Sequence, residues 1–72
     1  MTFIEYVKKV RTGLGMSQHK FAKEIKINYT TLNRWEKERI VPSRLARNSF
    51  FEYCRTNGIN VPIEIYKESE LP

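Results

Sequence analysis

The sequence predicts an all-α protein, a compact bundle of four to five helices, and three observations lead to this prediction. Apolar residues recur every three or four positions, as on one face of an α-helix, in segments 2–14 and 44–57. Ser17 and Asn28 are good N-cap residues, and a short stretch with helical apolar spacing follows each of them. The composition, with about 40% apolar residues and only three glycines and three prolines, is that of a globular protein.

The first predicted helix covers residues 2–14. Thr2 and Glu5 have the spacing of a capping box, in which each side chain bonds the backbone of the other residue. Gly13 and Gly15 indicate the end of the helix and a short turn. The apolar stripe of this helix, which is expected to face the core, consists of Phe3, Val7, Val10 and Leu14.

Two short helices are predicted next, with a turn of about three residues between them. Ser17 can cap the first, and Asn28 can cap the second, which runs through Trp35 and Glu36. The apolar face of the first of these helices is formed by Phe21, Ala22 and Ile25. A helix-turn-helix has this spacing, and it is predicted at about residues 17–36.

A fourth helix is predicted over residues 44–57, after the break at Pro42 and Ser43 and before the Asn57-Gly58 pair. Its buried face is expected to be Ala46, Phe50, Tyr53 and Cys54. The tail, residues 59–72, leaves two interpretations open. Its apolar residues alternate as in a strand, whereas Pro62 can start a short fifth helix, which is the prediction that we favour.

Charge is unevenly distributed along the chain. Thirteen Lys and Arg residues against eight Asp and Glu residues give a net charge of +5. Residues 1–57 carry a net +7, whereas residues 58–72 carry a net −2. Residues 1–57 are therefore expected to form the polyanion-binding surface, although an excess of basic residues is by itself common in small proteins.

Several classes of function are not expected. The 72 residues suffice for one core, so a single domain over 1–72 is predicted. No apolar run approaches the roughly 20 residues that span a bilayer, and we expect a cytoplasmic protein without a membrane segment. Cys54 is alone and is expected to be a buried thiol. His19, the one histidine, lies on a different predicted helix from Cys54, so the two are not expected to form a catalytic pair. No enzymatic activity, metal, cofactor or small-molecule ligand is therefore expected.

The third predicted helix has two different faces. At about 100° per residue, Leu32 and Trp35 fall on the side that is expected to pack on the core. The other side carries side chains that can contact base edges or phosphates: Tyr29, Thr30, Asn33, Arg34 and Lys37. Such a face is by itself also typical of an ordinary solvated helix. Together with the short helices, their turn and a basic flank at Arg39, Arg44 and Arg47, it predicts a helix in the major groove of DNA.

A longer pattern covers residues 3 to about 57. It consists of Arg11, then Leu14-Gly15-Met16-Ser17-Gln18, then Phe21-Ala22 and Ile25, then Thr31-Leu32-Asn33-Arg34-Trp35-Glu36, and finally Pro42-Ser43. This pattern resembles the lambda-repressor and Cro-like helix-turn-helix regulators, also called the xenobiotic-response-element-like family. The resemblance implies a helical bundle of the lambda-repressor-like DNA-binding type.

The resemblance also implies roles for individual residues. Gln18 stands where family members use a glutamine to bind a DNA phosphate. The positions from which members touch bases or adjacent phosphates are Tyr29, Thr30, Asn33 and Arg34. Arg11 and Glu36 stand where the family commonly has a salt bridge, which is expected here. The further expected phosphate contacts are Ser17, Thr31, Lys37 and Arg39, while His19 is expected to be a surface residue or a phosphate contact.

Two residues depart from the family pattern, because many members have glycine at the positions of Lys26 and Glu38. A left-handed backbone at Lys26 would cost about 1 kcal/mol, and the alternative is a slightly different turn. Glu38 places an acidic group where phosphates are expected, and it either lowers affinity or points away.

These observations predict a small transcription regulator, favoured as a repressor, that binds specific double-stranded DNA. Because one such module makes a small interface, a homodimer is expected at least on DNA, with residues 44–72 as its surface. Two alternatives stay open. One is a protein-interaction module on the same fold, such as an antitoxin-like or anti-repressor partner. The other is an RNA-binding or nucleoid protein that binds without sequence preference.

Overall fold

The computed structural model contains five α-helices and describes residues 1–38, 40 and 42–70, the last three of these without their side chains. The helices are α1 (Phe3–Gly13), α2 (Gln18–Glu24), α3 (Tyr29–Glu38), α4 (Arg44–Thr56) and α5 (Ile63–Glu70). No strand occurs in the described residues, which confirms the all-α prediction. The tail forms the short helix rather than the strand. None of these helices is long and apolar enough to cross a membrane.

Polar side chains begin the first four helices at the predicted residues. Thr2 Oγ1 accepts a hydrogen bond from the backbone N–H of Glu5 at 3.2 Å, and Glu5 Oε1 accepts one from the backbone N–H of Thr2 at 2.8 Å. The predicted capping box is therefore confirmed. Ser17, Asn28 and Ser43 each accept a backbone N–H two or three residues further on. These bonds satisfy donors that the first turn of a helix leaves without a partner.

The core lies between the helices and is rich in aromatic rings. Phe50 of α4 is fully buried, and its ring makes edge-to-face contacts with Phe3, Tyr6 and Phe21 at centroid distances of 5.5, 6.1 and 6.3 Å. Each such pair contributes about 0.5–1.5 kcal/mol beyond the burial of its area. Ile65 is also buried in this cluster, so α5 is part of the same core.

The predicted stripe of α1 is wrong at its last residue. Leu14 is 45% exposed because α1 ends at Gly13 and Leu14 is the C-cap, beyond the last helical turn. Ile4 and Tyr6 are buried in addition to Phe3 and Val7, so the buried face of α1 is wider and lies closer to its N-terminus than the sequence predicts.

Cys54 is fully buried, as predicted. Burial raises the pKa of the Cys54 thiol to about 11, because the charged thiolate is poorly solvated inside the core. The thiol is therefore protonated at neutral pH. Since a thiol must ionise to act as a nucleophile, this cysteine behaves as a small apolar core residue.

Among the described residues, three helices end in the same backbone motif, and Lys26 is the exceptional residue in it. Gly15, Lys26 and Gly58 follow the C-caps of α1, α2 and α4 and have φ values of 68°, 61° and 68°. After α2, the N–H of Ile27 bonds the carbonyl of Ala22 at 2.9 Å, which is the longer bond of a Schellman motif. Lys26 thus adopts the left-handed conformation that glycine adopts at the other two helix ends.

Replacing Lys26 with glycine should raise the free energy of unfolding by about 0.5–1 kcal/mol. Glycine removes the steric conflict of Cβ in the left-handed region, and its greater freedom in the unfolded chain offsets part of the gain. Urea unfolding measures the change. The matched control is Lys23→Gly, inside α2, which should lower stability by about 1 kcal/mol. A loss of stability in both variants would contradict the prediction.

Candidate nucleic-acid interface

The orientation of α3 is fixed by its buried side. Leu32 and Trp35 are fully buried in the core, as predicted. The opposite side faces solvent, where Tyr29, Thr30 and Arg34 are exposed. Asn33 and Thr31 are half-buried. We call Tyr29, Thr30, Asn33 and Arg34 the reading face of α3.

An ion pair joins the end of α1 to α3. The guanidinium of Arg11 donates to both carboxylate oxygens of Glu36, with Nε–Oε2 and Nη2–Oε1 distances of 2.8 and 2.9 Å. The third nitrogen, Nη1, donates to the backbone carbonyl of Met16 at 2.9 Å. The side chains of Arg11 and Glu36 are 14% and 4% exposed, so the pair is shielded from water. These are the two residues that the family resemblance pairs.

Gln18 and Asn33 extend this ion pair to the reading face. Gln18 Nε2 donates to Glu36 Oε1 at 3.0 Å, and Asn33 Nδ2 donates to Gln18 Oε1 at 2.9 Å. We call Arg11, Glu36, Gln18 and Asn33 the polar network. It runs from α1 through the first residue of α2 to the reading face. A side-chain amide carries two N–H donors, and these bonds use one donor of Gln18 and one of Asn33.

The carboxyl group of Glu36 is ionised in this network. Burial by itself would raise its pKa. The hydrogen bonds from Arg11 and Gln18 oppose this effect. With the positive charges of Arg11 and Lys8, they lower the pKa of Glu36 below its usual value. Arg11 of α1 and Gln18 of α2 thus both donate to the negatively charged carboxylate of Glu36.

A second contact joins α2 to the reading face. The rings of His19 and Tyr29 are stacked, with centroids 3.6 Å apart and planes inclined by 8°. His19 is the second residue of α2, and Tyr29 is the first residue of α3. This pair is not predicted by the sequence. The signal that could have found it is that the first turns of the two helices are neighbours in a helix-turn-helix.

The comparisons with known proteins agree with this geometry. A family model described as Helix-turn-helix matches residues 7–45. The chain belongs to the lambda-repressor/Cro-like helix-turn-helix family. The matched segment includes the whole polar network and the whole reading face. No curated protein and no solved structure gave a significant match to the chain. The family consists of DNA-binding transcription regulators, so the exposed side of this helix-turn-helix is a candidate DNA interface.

Arg34 forms an ion pair with Glu38 within α3. Its Nε lies 3.1 Å from Glu38 Oε2, one helical turn further on, and the two side chains are 56% and 53% exposed. Glu38 therefore extends along α3 towards Arg34. Exposed pairs of this kind contribute about 0.3–0.5 kcal/mol. Arg34 can consequently exchange Glu38 for an acceptor on DNA at little cost.

The other expected contacts of the helix-turn-helix lie around these residues. Ser17 Oγ accepts the backbone N–H of Lys20 at 3.1 Å, which leaves its own O–H able to donate. Lys37 is exposed, whereas Thr31 is half-buried. Arg39 lies outside the described residues. In the part of the chain that the structure describes, no cluster of three His, Cys, Asp or Glu residues could hold a metal ion.

Proposed function

We propose that this protein is a small cytoplasmic transcription regulator, a repressor, that binds a specific double-stranded DNA sequence with α3 in the major groove. The polar network carries this proposal. Gln18, at the start of α2, accepts a hydrogen bond of 2.9 Å from Asn33 on the reading face and donates one of 3.0 Å to Glu36. A helix that reads bases must be held in a fixed position relative to the phosphate backbone. Hydrogen bonds between α2 and α3 can hold α3 in this way.

Phosphate contacts are proposed at the start of α2 and around α3. Among the described residues, one amide N–H of Gln18 and the hydroxyl group of Ser17 donate to no other group, and both lie at the start of α2. Thr31 and Lys37 lie on α3, and Arg39 follows it in the sequence. The net charge of +7 in residues 1–57 adds a favourable field that does not depend on DNA sequence.

Base contacts are proposed from the reading face. Arg34 is exposed and can donate two parallel hydrogen bonds to guanine, and Thr30 offers a hydroxyl and a methyl group. Asn33 donates to Gln18, so it acts with one remaining N–H and its carbonyl oxygen. Tyr29 offers its hydroxyl and ring edge. These groups choose the DNA sequence, whereas Gln18 and Ser17 fix the position of the protein.

A homodimer on DNA is part of the proposal. A single module of this size buries about 600–1,000 Å² on DNA, and two copies on a pseudo-palindrome supply the specificity that one lacks. The proposed dimer surface lies in residues 44–72, where Leu45, Ile63 and Tyr66 are exposed apolar side chains. Phe51 is half-buried, and the centroid of its ring lies 5.5 Å from that of Phe3, so it also packs against the core.

Selection of binding sites from a random duplex library should enrich one DNA motif. Two half-sites spaced by about 10 base pairs would support the dimer, because one helical turn places both on the same side of the duplex. Affinity for the enriched duplex should fall steeply between 50 and 200 mM salt. A scrambled duplex and a double-stranded RNA of the same sequence serve as controls. Equal affinity for all three, or no enrichment, would contradict the proposal.

A further inference from the structure

The stacked pair of His19 and Tyr29 lies outside the core. Tyr29 is 37% exposed, and His19 is exposed as well. Their rings are nearly parallel, at an angle of 8° and a centroid distance of 3.6 Å. Neither ring is packed into the aromatic cluster around Phe50. The stack is therefore a surface contact between the first turns of α2 and α3.

This contact limits the freedom of Tyr29. An exposed tyrosine at the first position of a helix can rotate about two side-chain bonds, and binding to DNA would have to order them. Stacking on His19 selects one orientation before DNA is bound. One ring face is then covered by the imidazole, while the exposed part of the phenol stays accessible.

The first two residues of α2 contact the reading face at two points. Gln18 bonds Asn33, and His19 stacks on Tyr29. Tyr29 and Asn33 are four residues apart on α3 and so lie on the same side of that helix. We propose that His19 is a positioning residue, which holds Tyr29 in the orientation in which it contacts DNA. This inference rests on the proposed function.

A direct contact of His19 with a phosphate is the competing role, because its imidazole is also at the start of α2. The two roles need different parts of the side chain. Positioning needs a flat ring, whereas phosphate binding needs an N–H donor. His19→Phe keeps a ring without a donor, and His19→Gln keeps a donor without a ring.

The experiment measures affinity for the duplex that the wild-type protein selects. His19→Gln should weaken binding about 3- to 10-fold, the cost of ordering one free side chain, and His19→Phe should restore most of the affinity. In a Tyr29→Ala background, His19→Gln should have no further effect, because the residue that it positions is gone. Proton chemical shifts of the Tyr29 ring in the free protein should show the stack in wild type and His19→Phe, and its loss in His19→Gln.

Three kinds of result would contradict the positioning role of His19. If His19→Gln binds as the wild type does, or if its loss persists without Tyr29, His19 does not act by positioning Tyr29. If His19→Phe binds no more tightly than His19→Gln, a flat ring at this position is not sufficient and the inference is overturned. If the folded wild-type protein selects no duplex at all, the proposed function itself fails, and with it this inference.

Discussion

Replacing Glu36 with alanine should lower the free energy of unfolding by about 3 kcal/mol. Its side chain is only 4% exposed, and it accepts hydrogen bonds from both Arg11 and Gln18. Without the carboxylate, the shielded guanidinium of Arg11 keeps the carbonyl of Met16 as its one hydrogen-bond partner among the described residues. Removing one member of a buried pair costs about 3–5 kcal/mol, mainly because the other charge is left uncompensated. Urea unfolding followed by Trp35 fluorescence measures this loss.

The matched control is Glu38→Ala, two residues further along the same helix. Glu38 is 53% exposed, and its ion-pair partner among the described residues is the exposed Arg34. Its removal should cost about 0.3–0.5 kcal/mol, as for other surface pairs on helices. Equal losses in the two variants would mean that burial does not strengthen the Arg11–Glu36 pair.

The stabilisation by Glu36 should also depend on pH. The fold lowers the pKa of this carboxyl, despite the opposing effect of burial, through the bonds from Arg11 and Gln18. Such a group stabilises the fold above its unfolded pKa, about 4.3 for glutamate, and the stabilisation is lost as pH falls through the lower folded pKa. The difference in stability between wild type and Glu36→Gln should therefore be constant between about pH 5 and 7 and decrease below about pH 4.3. A difference that does not change down to pH 3 would contradict an ionised Glu36.

The elements of the fold could be predicted because their signals are local. Thr2 with Glu5, and Ser17 and Ser43, are caps that act within one helical turn, and all three start helices where the sequence indicates. The apolar spacing of Leu32 and Trp35 likewise defines the buried side of α3. The error at Leu14 arose because periodicity does not show where a helix ends. The left-handed backbone of the turn at Lys26 was one of two alternatives, since a lysine allows either.

The contacts between side chains of different helices were not predictable in the same way. The bond from Asn33 to Gln18 and the stack of His19 on Tyr29 depend on which rotamers face each other after α2 and α3 have packed. The ion pair of Arg11 with Glu36 was expected only because the family has it. The sequence thus predicts which residues contact DNA, whereas the structure shows that α2 contacts two of them, Asn33 and Tyr29.

Replacing Arg34 with alanine should weaken binding to the selected duplex by about 1–3 kcal/mol and relax the preference at one base pair. A bidentate arginine contact with guanine is worth this much discrimination, and the weak pair with Glu38 does not prevent the exchange. Competition binding with duplexes altered at each position measures both effects. Lys37→Ala is the comparison, because Lys37 is exposed and lies outside the polar network, so that loss of its proposed phosphate contact should weaken all duplexes alike.

Glu38→Gln is a control for Arg34→Ala, because it should raise the affinity for DNA where Arg34→Ala lowers it. The glutamine keeps the size of the side chain but removes the negative charge that pairs with Arg34 at 3.1 Å. Affinity for DNA should rise by a few-fold, for selected and scrambled duplexes alike, and this gain should shrink at high salt because the charge is exposed.

If Arg34→Ala instead weakens every duplex equally and reduces the salt slope by about 1, Arg34 binds a phosphate. Base choice would then have to come from Thr30, Asn33 and Tyr29, and the positioning of the last two by α2 would matter more.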